Sequence, residues 1–178
     1  MSESGVQAGR ISRLGNIFEA RLERVFEHSQ TTVWHMMTTP AALVLWLAPG
    51  TIEERAGGEV HIDFADSGIT IKSTVARWDP PRLLEYSWSS GGEPERPLRW
   101  ELEPVEVGTR LVLTLRLPTT EDVSKACAGF DAHLEMLAAA LEGVPVRFPL
   151  DYYLERRRIY QEVTAICQPI ALGPCKAT

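Results

Sequence analysis

From Ile52 to Leu117, apolar residues recur at alternate positions in one short run after another, and each run ends in a turn signal. Val60, Ile62 and Phe64 alternate with His61 and Asp63, and Asp66-Ser67-Gly68 turns the chain into Ile69, Ile71, Ser73 and Val75. Asp79-Pro80-Pro81 leads into Leu84, Tyr86 and Trp88. A polar loop at Gly91–Glu95 precedes Leu98, Trp100 and Leu102, and Val107-Gly108 precedes Leu111, Leu113 and Leu115. Period two puts one side chain in two on each face of a strand. Links this short cannot carry a parallel crossover, so the strands pair as antiparallel neighbours. Phe18, Ala20, Leu22 and Arg24 share one face of a further strand from Ile17. With Ile52–Arg55, closed by Gly57-Gly58, the count is about seven.

Two stretches break this rhythm. Ser29–Thr32 supplies hydroxyl caps for a short helix carrying Val33, Trp34, Met36 and Met37. Thr39-Pro40 opens a second, with proline at the first helical position, where its missing N–H costs nothing. After Pro118, Val123, Cys127, Phe130, Leu134, Leu137 and Leu141 follow at spacings of four and three, the stripe of a long amphipathic helix. Thr119 with Asp122 resembles a capping box for it, and Gly143 is its stop. A last helix is expected over 151–166. A twisted sheet cannot lie flat on one helix and curls around it, which predicts an α+β helix-grip architecture. In it a curved antiparallel sheet holds the long C-terminal helix, two short helices follow the first strand, and one helix is added at the end. The first strand, set apart by the helix pair, is expected at the sheet's far edge.

Composition narrows the function classes. Eighteen Lys+Arg against twenty-four Asp+Glu give a formal charge of −6, and nucleic acid or an anionic membrane selects for the opposite sign. No apolar run approaches the roughly 18 residues of a membrane span, and no basic start with an apolar run marks a secretory signal. Cys127, Cys167 and Cys175 lack metal-ligand spacing. The expectation is a cytoplasmic protein, monomer or homodimer, with no metal, no cofactor, no nucleic-acid partner and no membrane insertion. Residues 1–16 read as a loose leader, 17–142 as one domain and 143–178 as an extension with one helix.

Several short motifs occur in a fixed order: Val33-Trp34, Thr39-Pro40 with Leu45-Trp46, Gly57-Gly58 with Val60, and Asp79-Pro80-Pro81-Arg82-Leu83. Gly108-Thr109-Arg110-Leu111 and Gly129-Phe130 with His133-Leu134 complete the series. In this the chain resembles the activator of heat-shock-protein-90 ATPase homologue-like (AHSA-like) family, within the START-like (SRPBCC) helix-grip superfamily, over about residues 17–142. It departs from that pattern at Phe130, where family members often carry tryptophan, after Leu117, where a histidine often seen is missing, and in the tail from Val144. The resemblance implies a cavity between the sheet and the long helix. Trp46 would stand near its mouth and the strand tryptophans on its floor, so the pocket lining is Met37, Trp46, Phe64, Tyr86, Trp88, Trp100, Phe130 and Leu134. The function implied is non-enzymatic binding of a small hydrophobic or amphipathic molecule, its apolar groups buried and a few polar groups setting orientation.

Two alternatives accompany that reading. One is a co-chaperone-like protein-interaction domain with a chaperone partner, which an exposed apolar patch would favour. The other is a polyketide cyclase- or hydrolase-like enzyme acting through cavity shape and one or two polar groups, with Tyr86, His61 and Asp131 the groups to suspect. Four histidines, His28, His35, His61 and His133, lack the spacing of a metal site and read as structural. Cys127, on the buried stripe, reads as a small apolar group. The Arg156-Arg157-Arg158 cluster, flanked by Glu155 and Glu162, reads as a solvated helix face.

Overall fold

The computed structural model describes residues 6–91 and 94–167. Its strands are β1 (Arg10–Leu14), β2 (Ile17–Phe26), β3 (Gly50–Ile52), β4 (Glu59–Phe64), β5 (Ile69–Asp79), β6 (Leu83–Ser87), β7 (Pro97–Val105) and β8 (Gly108–Pro118). The helices are α1 (Gln30–Thr38), α2 (Pro40–Trp46), α3 (Val123–Leu141) and α4 (Leu150–Ala165). All eight strands join one antiparallel sheet in the order β1-β2-β8-β7-β6-β5-β4-β3. The fold is the expected α+β helix grip, with one more strand than the sequence suggests.

That strand is β1, and it corrects the expectation of a loose leader. Arg10 pairs with Arg21 and Leu14 with Ile17, so β1 takes the sheet edge. The strand from Ile17 does not lie at the edge; it runs antiparallel to β8 from Ile17↔Pro118 to Phe26↔Thr109. Arg10-Ile-Ser-Arg-Leu has no apolar alternation because an edge strand with partly exposed faces needs none.

The alternation elsewhere works as expected. Phe18, Ala20, Leu22 and Phe26 of β2, Leu98, Trp100 and Leu102 of β7, and Leu111, Leu113 and Leu115 of β8 all point into the core. The opposite face is a lattice of ion pairs: Arg99 lies between Glu85 and Glu101, Arg110 meets Glu103, and Arg116 meets Glu19. Ser29 caps α1 by accepting a hydrogen bond from the Thr32 N–H. Thr39 precedes Pro40 as expected, yet its hydroxyl donates back to the His35 carbonyl, so it serves α1 and not α2. The α3 cap is Asp122, whose carboxylate accepts from the Lys125 N–H; Thr119 takes no part in it.

Helix α3 lies across the inner face, burying Val123, Cys127, Phe130, Leu134 and Leu137. Helix α4 packs along α3, with Tyr152, Ile159 and Val163 half-buried. Its buried residues are Arg156 and Tyr160, one turn apart, while Ile166 is solvent-exposed.

Candidate functional site

Helix α3, the ends of α1 and α2, the inner faces of β4, β6 and β7 and the residue just past β6 bring all eight of the expected lining residues to one side of the sheet. Met37, Trp46, Tyr86, Trp100, Phe130 and Leu134 are buried, and Phe64 and Trp88 are partly covered. Their rings meet edge to face in a chain. Trp46 stands 6.0 Å from Trp100, Trp100 6.2 Å from Phe130, Phe130 5.2 Å from Trp88, and Trp88 5.8 Å from Phe64. These are favourable offsets for aromatic pairs, and they fill the space between sheet and helix with the side chains themselves.

Trp46 is a correction of position. Expected at a mouth, it is 1% exposed at the centre, its indole N–H donating to the Met36 carbonyl at 2.8 Å. The outer end of the row is formed by Phe64 and Trp88, and beyond them by two residues outside the expected lining. His133 stacks 5.9 Å from Phe64, and Phe148, on the link between α3 and α4, stacks 5.5 Å from His133 and 5.6 Å from Tyr153. Phe148 is 41% exposed. Two surface clefts, of about 340 and 310 Å³, are present: the first lies between β5 and β6 and is lined by Lys72, Ser73, Glu85, Tyr86 and Ser87 among others, and the second lies among charged residues including Arg21, Glu23 and Arg110.

Few polar atoms enter the apolar row. The Trp100 Nε1–H and the Ser73 hydroxyl, both buried, have no hydrogen-bond partner among the described residues. Burial pushes the Tyr86 phenol far above its usual range, opposed by the nearby Trp100 indole; at ordinary pH Tyr86 is a neutral hydroxyl. His133 Nδ1 lies 2.8 Å from the Trp46 carbonyl. A carbonyl only accepts, so Nδ1 carries the proton. Burial lowers the His133 pKa, partly offset by that bond, and keeps the ring neutral at pH 7.

The other suspected groups stand apart. Asp131, fully buried, accepts from Arg24 Nη2 at 2.8 Å, Arg156 Nε at 2.9 Å and the Tyr160 hydroxyl at 2.6 Å. The Gly9 N–H donates to the same Tyr160 oxygen, and Arg156 Nη1 donates to the Val6 carbonyl. The carboxylate is saturated and serves as a clasp joining β2, α3, α4 and the N-terminal segment. Arg156 is therefore no part of a solvated face, and Arg157 pairs with Asp122. His61 is exposed on the face of β4 opposite Val60 and Ile62. Burial raises the Cys127 thiol far above its usual range, leaving it inert. Among the described residues no group of three His, Cys, Asp or Glu is placed to hold a metal, and no helix is long and apolar enough to cross a membrane. Cys175 lies outside the described residues.

His133 was the signal sequence reading passed over. Its place one turn beyond Gly129-Phe130, on the edge of the α3 stripe, was visible, but its partners lie on α2, β4 and the α3–α4 link. Only the tertiary fold assembles them.

Solved structures share this architecture. CalU16 from Micromonospora echinospora matches with a TM-score of 0.70 at 19% identity, over 88% of this chain and 98% of that one. The protein encoded by gene BPP1335 from Bordetella parapertussis matches with a TM-score of 0.66 at 26% identity, over 90% and 95%. DynU16, from the dynemicin biosynthetic locus, matches with a TM-score of 0.67 at 25% identity, over 73% of this chain and 49% of that one. No curated protein matches the chain. The profile described as activator of Hsp90 ATPase homolog 1-like protein covers residues 27–142, which include the two short helices, the sheet from β3 to β8 and the whole of α3. On that match, the chain belongs to the activator of Hsp90 ATPase homologue 1-like family.

Proposed function

We propose that the protein binds a small, largely apolar molecule between α3 and the inner face of the sheet, without chemistry on it. The observation that carries this reading is the unbroken row of rings from Trp46, at the centre, to Phe148, at the surface. A core that needs only to be filled has no use for an aromatic path to solvent. Each aliphatic or aromatic side chain covered by a ligand contributes on the order of 1.5–3 kcal/mol. The Trp100 N–H, beside the Tyr86 hydroxyl, offers a polar group at the inner end. Entry displaces Phe64 and Trp88, the two lining residues that are only partly covered.

The test is native mass spectrometry of the full chain for a co-purifying adduct, with 1H–15N titration against 2-methoxynaphthalene as an apolar aromatic probe. A saturable shift of the α3 and β6 amides, weakened by Trp88→Ala, supports the reading. A clean mass with no saturable shift overturns it.

A second reading has one observation in its favour. Val144, Val146, Phe148, Leu150 and Leu154 are all exposed along the α3–α4 link and the start of α4, the kind of patch a protein-interaction domain presents. Acceleration of an Hsp90 ATPase by this chain, abolished by Leu150→Asp with Leu154→Asp, would support it; an unchanged rate removes it.

A further inference from the structure

We propose that His133 is the orienting acceptor at the outer end of the aromatic row, and that the ligand is a flat aromatic or conjugated molecule carrying a hydroxyl that donates to His133 Nε2. The proposal rests on the pocket reading above and adds the ligand's polar chemistry.

The geometry leads there in three steps. Trp46 ends α2, and its carbonyl, near the C-terminal end of that helix, faces α3 and takes the Nδ1 proton of His133 at 2.8 Å. One imidazole nitrogen is thereby fixed as the donor, and the other, Nε2, is left with a bare lone pair. Among the described residues Nε2 has no hydrogen bond, and it is not sealed from solvent. An acceptor oriented by a helix end and left open at the mouth of an apolar row is a placed polar group of the kind that fixes a ligand's orientation in pockets.

The rings around it define the shape of what it would meet. Phe64 and Phe148 flank the imidazole at 5.9 and 5.5 Å, and Trp88 lies next to Phe64 at 5.8 Å. Faces and edges at these separations suit a planar conjugated molecule better than a branched aliphatic one. Charge excludes the remaining class of donor. The groups placed against His133 are the Trp46 carbonyl and the Phe64 and Phe148 rings, none of them anionic. These neighbours give an ammonium ligand no opposite charge, whereas a neutral hydroxyl requires none.

The probes are 2-naphthol and 2-methoxynaphthalene, which share their rings and differ in whether the oxygen can donate. The full chain is titrated with each and followed by 1H–15N spectra, with the imidazole nitrogens read in a long-range 1H–15N spectrum. The expected result is 2-naphthol binding about fivefold tighter than the ether, the worth of one ordinary hydrogen bond. The Nε2 nitrogen moves upfield with 2-naphthol and stays in place with the ether. In His133→Phe the preference collapses to about one. Since that variant alters the α2–α3 contact, the Nε2 shift in the unsubstituted chain stands as an independent readout. Equal affinities with an unmoved Nε2 overturn the inference and leave the pocket reading standing. Binding of neither probe overturns both.

Discussion

A neutral imidazole that folding has partly withdrawn from water couples stability to pH, and His133 fixes the direction. In the unfolded chain it titrates near the ordinary value of about 6.5; in the folded protein burial lowers that value. Below about pH 6.5 the unfolded chain takes up a proton that the folded protein does not, so stability falls as pH falls. The loss flattens once the pH is below the folded value, where both states are protonated. We expect urea unfolding to give a wild-type stability that declines below pH 6.5 by up to about 1.4 kcal/mol per pH unit from this one group. In His133→Gln the amide can still donate to the Trp46 carbonyl but does not titrate, so the difference between the two proteins should grow with acid. A difference that is flat from pH 7.5 to 5 would mean the ring is not held neutral. At this scale the sequence was legible where chemistry and periodicity agreed, as at Trp100 and Phe130. It misled at Arg156, which reads as part of a solvated face until its partner Asp131, on α3, is known.

Elements were legible to the extent that their signals are local. Turn glycines, alternation and the Ser29 cap act within a few residues, and α1 and the strands appeared where expected except β3, which lies at Gly50–Ile52 and not over 52–55. What failed was nonlocal: β1 exists because β2 offers it an edge, and the face α4 buries is set by Asp131 on α3. Gly108 shows the same division. Its φ of +150° at the β7–β8 turn lies in a region side chains rarely adopt, and a Cβ there would run into the Phe26 carbonyl oxygen and the His28 N–H at the end of β2. The turn is local; the need for glycine comes from a strand eighty residues away, where Thr109 also donates to the His28 carbonyl at 2.7 Å. Gly108→Ala should therefore cost about 2–3 kcal/mol in urea unfolding, from strain and the close approach together. Gly68→Ala is the control. Its φ is +71° but its Cβ would meet open space, so it carries the backbone term alone, about 1 kcal/mol. Equal costs at the two positions would show that the contact with β2 contributes nothing.

At the scale of the molecule, the question is whether 17–142 is the cooperative unit with an extension beyond it, as residue patterns alone suggest. The family profile stops at 142, in the same place. The packing points the other way. Tyr160 of α4 is fully buried, and its hydroxyl joins Asp131 to the Gly9 N–H, while Arg156 joins Asp131 to the Val6 carbonyl. Without α4, Asp131 would keep Arg24 but lose two of its three partners at a site no longer covered. Removing one partner of a buried ion pair costs about 3–5 kcal/mol, and in a domain of this size each kcal/mol shifts Tm by roughly 2–4 °C. The described residues should thus melt as one unit, with a single calorimetric transition whose enthalpy equals the van't Hoff value. A chain cut after Gly143 should melt roughly 10 °C lower, and Asp131→Ala in the full chain should fall by a similar amount, since both leave arginine charge uncompensated or the carboxylate stripped of partners. Two separate transitions, or a truncated chain as stable as the whole, would make α4 an independent appendage. A single transition would make the link bearing Phe148 a fixed wall of the candidate site, held at one end by α3 and at the other by the clasp on Asp131.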